Sequence, residues 1–124
     1  MNGDRIVLSF PARPDYILAV RLTVSAVAER IGFDIEEIED LKVASAEACT
    51  LLLAEGANAL ELCMTVDGGI NMDFSPIGET AGAAEKEPDG LSKYLLDALV
   101  DTCEMDIEDN KLTAVHLRKS LSNQ

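Results

Sequence analysis

Ile38-Glu39-Asp40-Leu41-Lys42-Val43-Ala44-Ser45-Ala46-Glu47-Ala48-Cys49-Thr50 is the stretch on which the fold turns. Ile38, Leu41, Ser45, Ala48 and then Leu52 recur at three- and four-residue steps, which puts them on one face of a helix. Asp34 stands where a capping side chain can accept a free backbone N–H, and Glu37 follows at the capping-box position. Glu36, Glu37, Glu39 and Asp40 crowd the first two turns, where the partial positive charge of the helix end favours carboxylates. A solvated acidic helix start accounts for most of them. Gly56 stops the pattern, so a helix is predicted over Ile35–Glu55.

Upstream, Ile6, Leu8 and Phe10 alternate with Val7 and Ser9, predicting a strand over Arg5–Phe10. Pro11 and Pro14 then break the chain. Ile17, Val20, Val24, Val27 and Ile31 make an apolar stripe on a helix predicted over Asp15–Ile31, which Gly32 ends. Downstream, Leu60–Val66 and Ile70–Phe74 alternate as two strands joined by the hairpin signal Asp67-Gly68-Gly69. Ser75–Asp89, with Pro76, Gly78, Gly82 and Pro88, reads as a loop. A third helix is predicted over Gly90–Thr102 with Leu91, Tyr94, Leu95, Ala98 and Leu99 inward. Two strands follow, Cys103–Ile107 and Leu112–Leu117, joined by Asp109-Asn110, and residues 120–124 form a polar, frayed tail. The order β-α-α-β-β-α-β-β predicts an α+β two-layer sandwich, with three helices on one face of a mixed sheet and residues 1–124 as one domain.

The chain has 23 Asp plus Glu against 10 Lys plus Arg, a formal charge of -13. Such a surface repels phosphate backbones and anionic lipid, which disfavours nucleic-acid and membrane partners and suits a basic protein partner. No stretch approaches the roughly 20 apolar residues of a membrane span, and the N-terminus lacks a signal layout. Cys49, Cys63 and Cys103 are odd in number, form no CxxC pair and sit among apolar residues. They read as small buried hydrophobes of a reducing cytoplasm, with no metal site expected.

Phe10-Pro11-Ala12-Arg13-Pro14-Asp15-Tyr16, Val20-Arg21-Leu22-Thr23-Val24, Phe33 and above all Ile38–Thr50 resemble the bacterial anti-sigma-factor serine kinases of the RsbW type. These belong to the GHKL superfamily, with its histidine-kinase-like ATPase fold. The resemblance follows element order along nearly the whole chain and is specific in its first half. It implies a cytoplasmic regulator that sequesters a sigma factor or phosphorylates a serine on an anti-sigma antagonist. It also implies a homodimer.

The family's nucleotide site can be sought part by part. Its second helix carries a Glu that activates the attacking hydroxyl and, four residues on, an Asn whose oxygen holds Mg²⁺. Glu47 matches the Glu, but Leu51 stands at the Asn position, and a hydrocarbon cannot ligate a hard cation. The family's Asp-x-Gly-x-Gly base-binding loop is reduced to Phe74-Ser75-Pro76-Ile77-Gly78, where only Gly78 stands for a family glycine. The Gly-Leu-Gly-Leu turn, whose N–H groups meet phosphate, is reduced to Asp89-Gly90-Leu91-Ser92, with Gly90 and Leu91 kept and Asp89 adding negative charge. Leu112–Leu117 fits the closing strand.

Phosphoryl transfer is almost all positioning and electrostatics, so these losses point to a degenerate site. Glu47 is the one candidate catalytic residue, and Gly78, Gly90 and Leu91 are remnants of a cofactor-binding site. As a scaffold relic, Glu47 would be solvated or paired with Lys42 or Lys93. His116, the only histidine, reads as a residue on the solvated side of its strand. Leu52 reads as core, with Leu51 and Leu53 filling the space a nucleotide would take, and Ala81-Gly82-Ala83-Ala84 as a shortened lid or a plain loop. The favoured function is an anti-sigma-like binding module, a pseudokinase with no cofactor expected. Two alternatives stand beside it. One is an active serine kinase using ATP and Mg²⁺ with Glu47 as base. The other is an unrelated small α+β protein.

Overall fold

The computed structural model describes residues 3–78, 80 and 90–121. Strand β1 (Arg5–Pro11) leads through a short 3-10 turn (Pro14–Tyr16) into α1 (Ile17–Ile31) and α2 (Ile35–Leu53). The hairpin β2 (Ala59–Val66) and β3 (Gly69–Ile77) comes next, then α3 (Gly90–Leu99) and a second hairpin, β4 (Thr102–Glu108) and β5 (Lys111–Ser120).

The strands lie in the order β1-β2-β3-β5-β4 and every neighbouring pair is antiparallel. The sheet predicted as mixed is therefore antiparallel throughout. Each hairpin turn has the positive φ that the twist of antiparallel strands favours, at Gly68 in the first and at Asp109 and Asn110 in the second. Gly69 answers a different need. A side chain there would meet the backbone of Lys119 and Ser120 on β5, so close pairing of β3 with β5 depends on its bare Cα.

One face of the sheet carries the core. Leu60, Leu62, Met64, Met72, Phe74, Val115 and Leu117 are buried beneath the helices, as period-two alternation requires. Val20, Val24 and Ala28 of α1 and Leu41, Ala44, Ala48 and Leu52 of α2 are fully buried above them. The predicted cap of α2 is present: Asp34 Oδ1 accepts from the Glu37 N–H at 2.8 Å, and Glu37 Oε1 accepts from the Asp34 N–H at 2.9 Å. Gly32, at φ 116°, closes α1 in the left-handed region.

Several boundaries differ from the sequence reading; α1, predicted from Asp15, begins at Ile17 because Pro14–Tyr16 forms the 3-10 turn. The α2 helix stops at Leu53, and Glu55 instead turns its side chain under β5. Strand β3 runs on through Ser75, Pro76 and Ile77, which the sequence assigned to the loop. Proline is tolerated there because β5 pairing ends at Phe74 and only β2 pairs beyond it. Near the chain's end, Ser120 completes β5 and the Leu121 N–H donates to Gly68 O, so residues 120 and 121 of the predicted frayed tail are held to the sheet; residues 122–124 lie outside the described residues. The α3 helix ends at Leu99 and is turned relative to its predicted face. Its buried residues are Ser92 and Leu96, while Leu91 and Tyr94 are 69% and 75% exposed and Leu95 is 39% exposed. The Ala81–Ala84 segment and Asp89 lie outside the described residues.

Candidate functional site

The site is built where the middle of α2 meets the first turn of α3. Glu47 is half-buried on α2, between Ala44 and Ala48, which anchor the helix to the core. Neither Lys42 nor Lys93 pairs with it. Lys42 bonds Glu39 at 3.0 Å, and Lys93 bonds Asp97 at 3.2 Å within α3. Glu47 Oε2 instead accepts from the Ser92 hydroxyl at 2.8 Å. Gly90 and Leu91 are in the same turn, with Gly90 opening the helix and Leu91 pointing to solvent. With these two set against the first glycine and leucine of the Gly-Leu-Gly-Leu turn, Ser92 takes the place of the second glycine. The sequence reading missed Ser92. Its only sequence signal is that position, directly after the surviving Gly-Leu pair.

Leu51 lies one helical turn after Glu47 and packs, with Leu53, against the core that Leu52 enters. Gly78, at φ 83°, is in a different corner. It shares a shallow concavity with Pro76, Thr80, Lys111, Leu112 and Thr113, and no α3 residue lines it. The structure thus brings Glu47, Gly90 and Leu91 together and leaves Gly78 apart.

These residues do not fit Mg²⁺ and a triphosphate. The place of the Mg²⁺ ligand is a packed hydrocarbon. The acceptor edge of Glu47 holds an internal hydroxyl, and the stretch that should recognise the base is strand backbone paired to β2. Among the described residues no group of three or more His, Cys, Asp or Glu is placed to hold a metal ion. Burial pushes the Cys49 thiol up to about 12 and also raises Cys103, whereas Cys63, expected to be buried like them, is only half-buried.

Two further polar features were not legible in the sequence. Glu55 is buried, with Oε2 accepting from the Leu112 N–H at 3.3 Å and Oε1 without a partner among the described residues. His116 faces outward, as predicted, but between two carboxylates: Nδ1 is 2.8 Å from Asp73 Oδ1 and Nε2 is 3.0 Å from Asp106 Oδ2. Both contacts are donations only from the doubly protonated ring, and they raise its pKa, with the Asp106 bond first and the Asp73 bond second.

No protein-family model matches the chain. Among whole proteins, it is 30% identical to the serine-protein kinase RsbW of Bacillus thuringiensis (strain Al Hakam), over 134 aligned positions that cover 90% of this chain and 82% of the relative. The serine-protein kinases RsbW of Bacillus cereus (strain AH820) and Bacillus anthracis match at the same 30% identity and coverage. The fold is similar to a crystal structure of the RsbU and RsbW domains of Rv1364c from Mycobacterium tuberculosis, with a TM-score of 0.71, 16% identity and 98% of this chain covered. This chain spans 33% of that one, and at such identity the likeness speaks for the fold alone. No helix among the described residues is long and apolar enough to cross a membrane. The extent and level of identity with the Bacillus proteins settle the family: this chain belongs to the RsbW serine-protein kinases.

Proposed function

We propose that the chain is an anti-sigma-type regulator that binds a sigma factor, or the antagonist that would displace it, without nucleotide and without phosphoryl transfer. The family supplies the partner class. The Glu47–Ser92 hydrogen bond carries the rest: the carboxylate that family members use to activate a serine hydroxyl is engaged by a serine of the same chain. Leu51 adds to this, because apolar packing replaces the oxygen that Mg²⁺ needs. The charge of -13 suits a partner with a basic contact surface. Family membership removes the reading of an unrelated α+β domain.

Calorimetric titration with ATP and ADP in the presence of Mg²⁺ tests the proposal. The expected result is no heat of binding at millimolar nucleotide, for the natural protein and for Leu51→Asn alike, since base recognition is missing from both. A micromolar dissociation constant for the natural protein would replace this reading with an active kinase in which Glu47 is the base.

A further inference from the structure

Helical serines and threonines usually turn their hydroxyls back onto the carbonyl four residues earlier. Three do so here: Thr23 to Ala19, Ser45 to Leu41 and Thr50 to Ala46, at 2.7 to 2.9 Å. The Ser92 hydroxyl on α3 instead reaches another element, donating to Glu47, 45 residues away in sequence. Ser92 is 9% exposed, so water competes weakly for the bond. The acceptor is a carboxylate, which strengthens the bond relative to a neutral pair. The apolar anchor of α3 is small by comparison, with Leu96 its one fully buried hydrophobic side chain.

We infer that Ser92 is an internal occupant of Glu47, a latch that holds the first turn of α3 closed on α2 in the role that bound phosphate has in a nucleotide site. The inference rests on the nucleotide-free reading above and extends it. In this chain the third helix is docked by a side chain, and Glu47 Oε2 is taken by Ser92 while the latch is shut. Opening of the first turn exchanges that hydrogen bond for water at a helix with few buried apolar side chains.

Backbone amide exchange on the full chain tests this. Alanine has the higher helix propensity, so Ser92→Ala should strengthen α3 if the hydroxyl does nothing. The latch predicts the reverse: exchange over Gly90–Leu99 should quicken roughly tenfold, with α1 and α2 unchanged, as expected for losing a hydrogen bond to a charged group. Glu47→Ala should do the same. Glu47→Gln keeps an acceptor oxygen and should retain most of the protection. The double variant Ser92→Ala/Glu47→Ala should exchange no faster than either single variant. Exchange within about twofold of the natural protein in both alanine variants, or additive effects in the double, would overturn the latch. Nucleotide binding by the natural protein is read separately: it would overturn the nucleotide-free reading and leave the latch to stand on the exchange data.

Discussion

The α1–α2 side of the helical layer and the α3 corner are held to the same sheet by different means. Val20, Val24 and Ala28 on α1 and Leu41, Ala44, Ala48, Cys49 and Leu52 on α2 are all fully buried. The ten residues of α3 bury Leu96 and one serine. The hydrophobic effect scales with the apolar area removed from water, so the first region has a large reserve and the second has little. The α3 corner is also where the family's phosphate-binding turn would be. The difference is one of anchoring: α2 carries Glu47 and Leu51 on a helix held by core packing, whereas the first turn of α3 meets it through the Ser92–Glu47 hydrogen bond.

Replacing Leu41 by Ala gives the largest effect that this comparison implies. It opens a cavity in the fully buried α2 stripe and should cost about 2–5 kcal/mol of global stability, read from urea unfolding. A loss below about 1 kcal/mol, the level of a surface change, would dissolve the contrast between the two regions. Gly69→Ala should come next, at about 1–3 kcal/mol, because the new methyl meets β5 backbone rather than a movable side chain. An unaltered melting temperature would show that β3 and β5 can part at that point without cost.

The His116 cluster is weaker, because its side chain is 36% exposed and Asp73 and Asp106 are 48% and 58% exposed. Its neighbours on the outer face include Glu104, directly opposite on β4, and Cys63, beside Asp73 on β2. The folded pKa is raised above the ordinary value, so the stabilisation is fully present below about pH 6 and is lost as pH rises through the folded value. Solvent and salt screening hold the effect to less than about 1 kcal/mol. Urea unfolding at about pH 6 and about pH 8 should show this loss in the natural protein and not in His116→Asn. An equal slope in both would remove the histidine from the account. Smallest of all, Leu95→Ala should change stability by no more than about 0.5 kcal/mol, because that leucine lies on the open side of α3. A cost near that of Leu41→Ala would restore the helix face predicted from sequence.

The two regions also differed in how legible they were. On α2, Asp34, Glu37, Leu41, Ala48 and Leu52 each pointed to the same helix with the same buried face, and local signals agreed with the long-range packing. On α3, leucines at 91, 95, 96 and 99 allow two stripes about one position apart. The choice between them falls to Ser92, whose partner is on another helix and leaves no local trace. The same limit explains the sheet. Alternation placed His116 outward but could not supply Asp73 and Asp106, and it could not tell antiparallel from mixed pairing, because both depend on which strands become neighbours. At the candidate site the sequence displayed Leu51 and the altered Phe74–Gly78 stretch, but not the Ser92–Glu47 bond, whose partners are far apart in sequence.

Amide exchange over Gly90–Leu99 in the natural protein, with and without millimolar ATP and Mg²⁺, tests the central claim most directly. If side chains have replaced the nucleotide, α3 is already protected in the free protein and its exchange rates do not change when nucleotide is added. An α3 that exchanges freely alone and becomes protected only with ATP would contradict the account, because phosphate rather than Ser92 would then be what closes the helix onto Glu47.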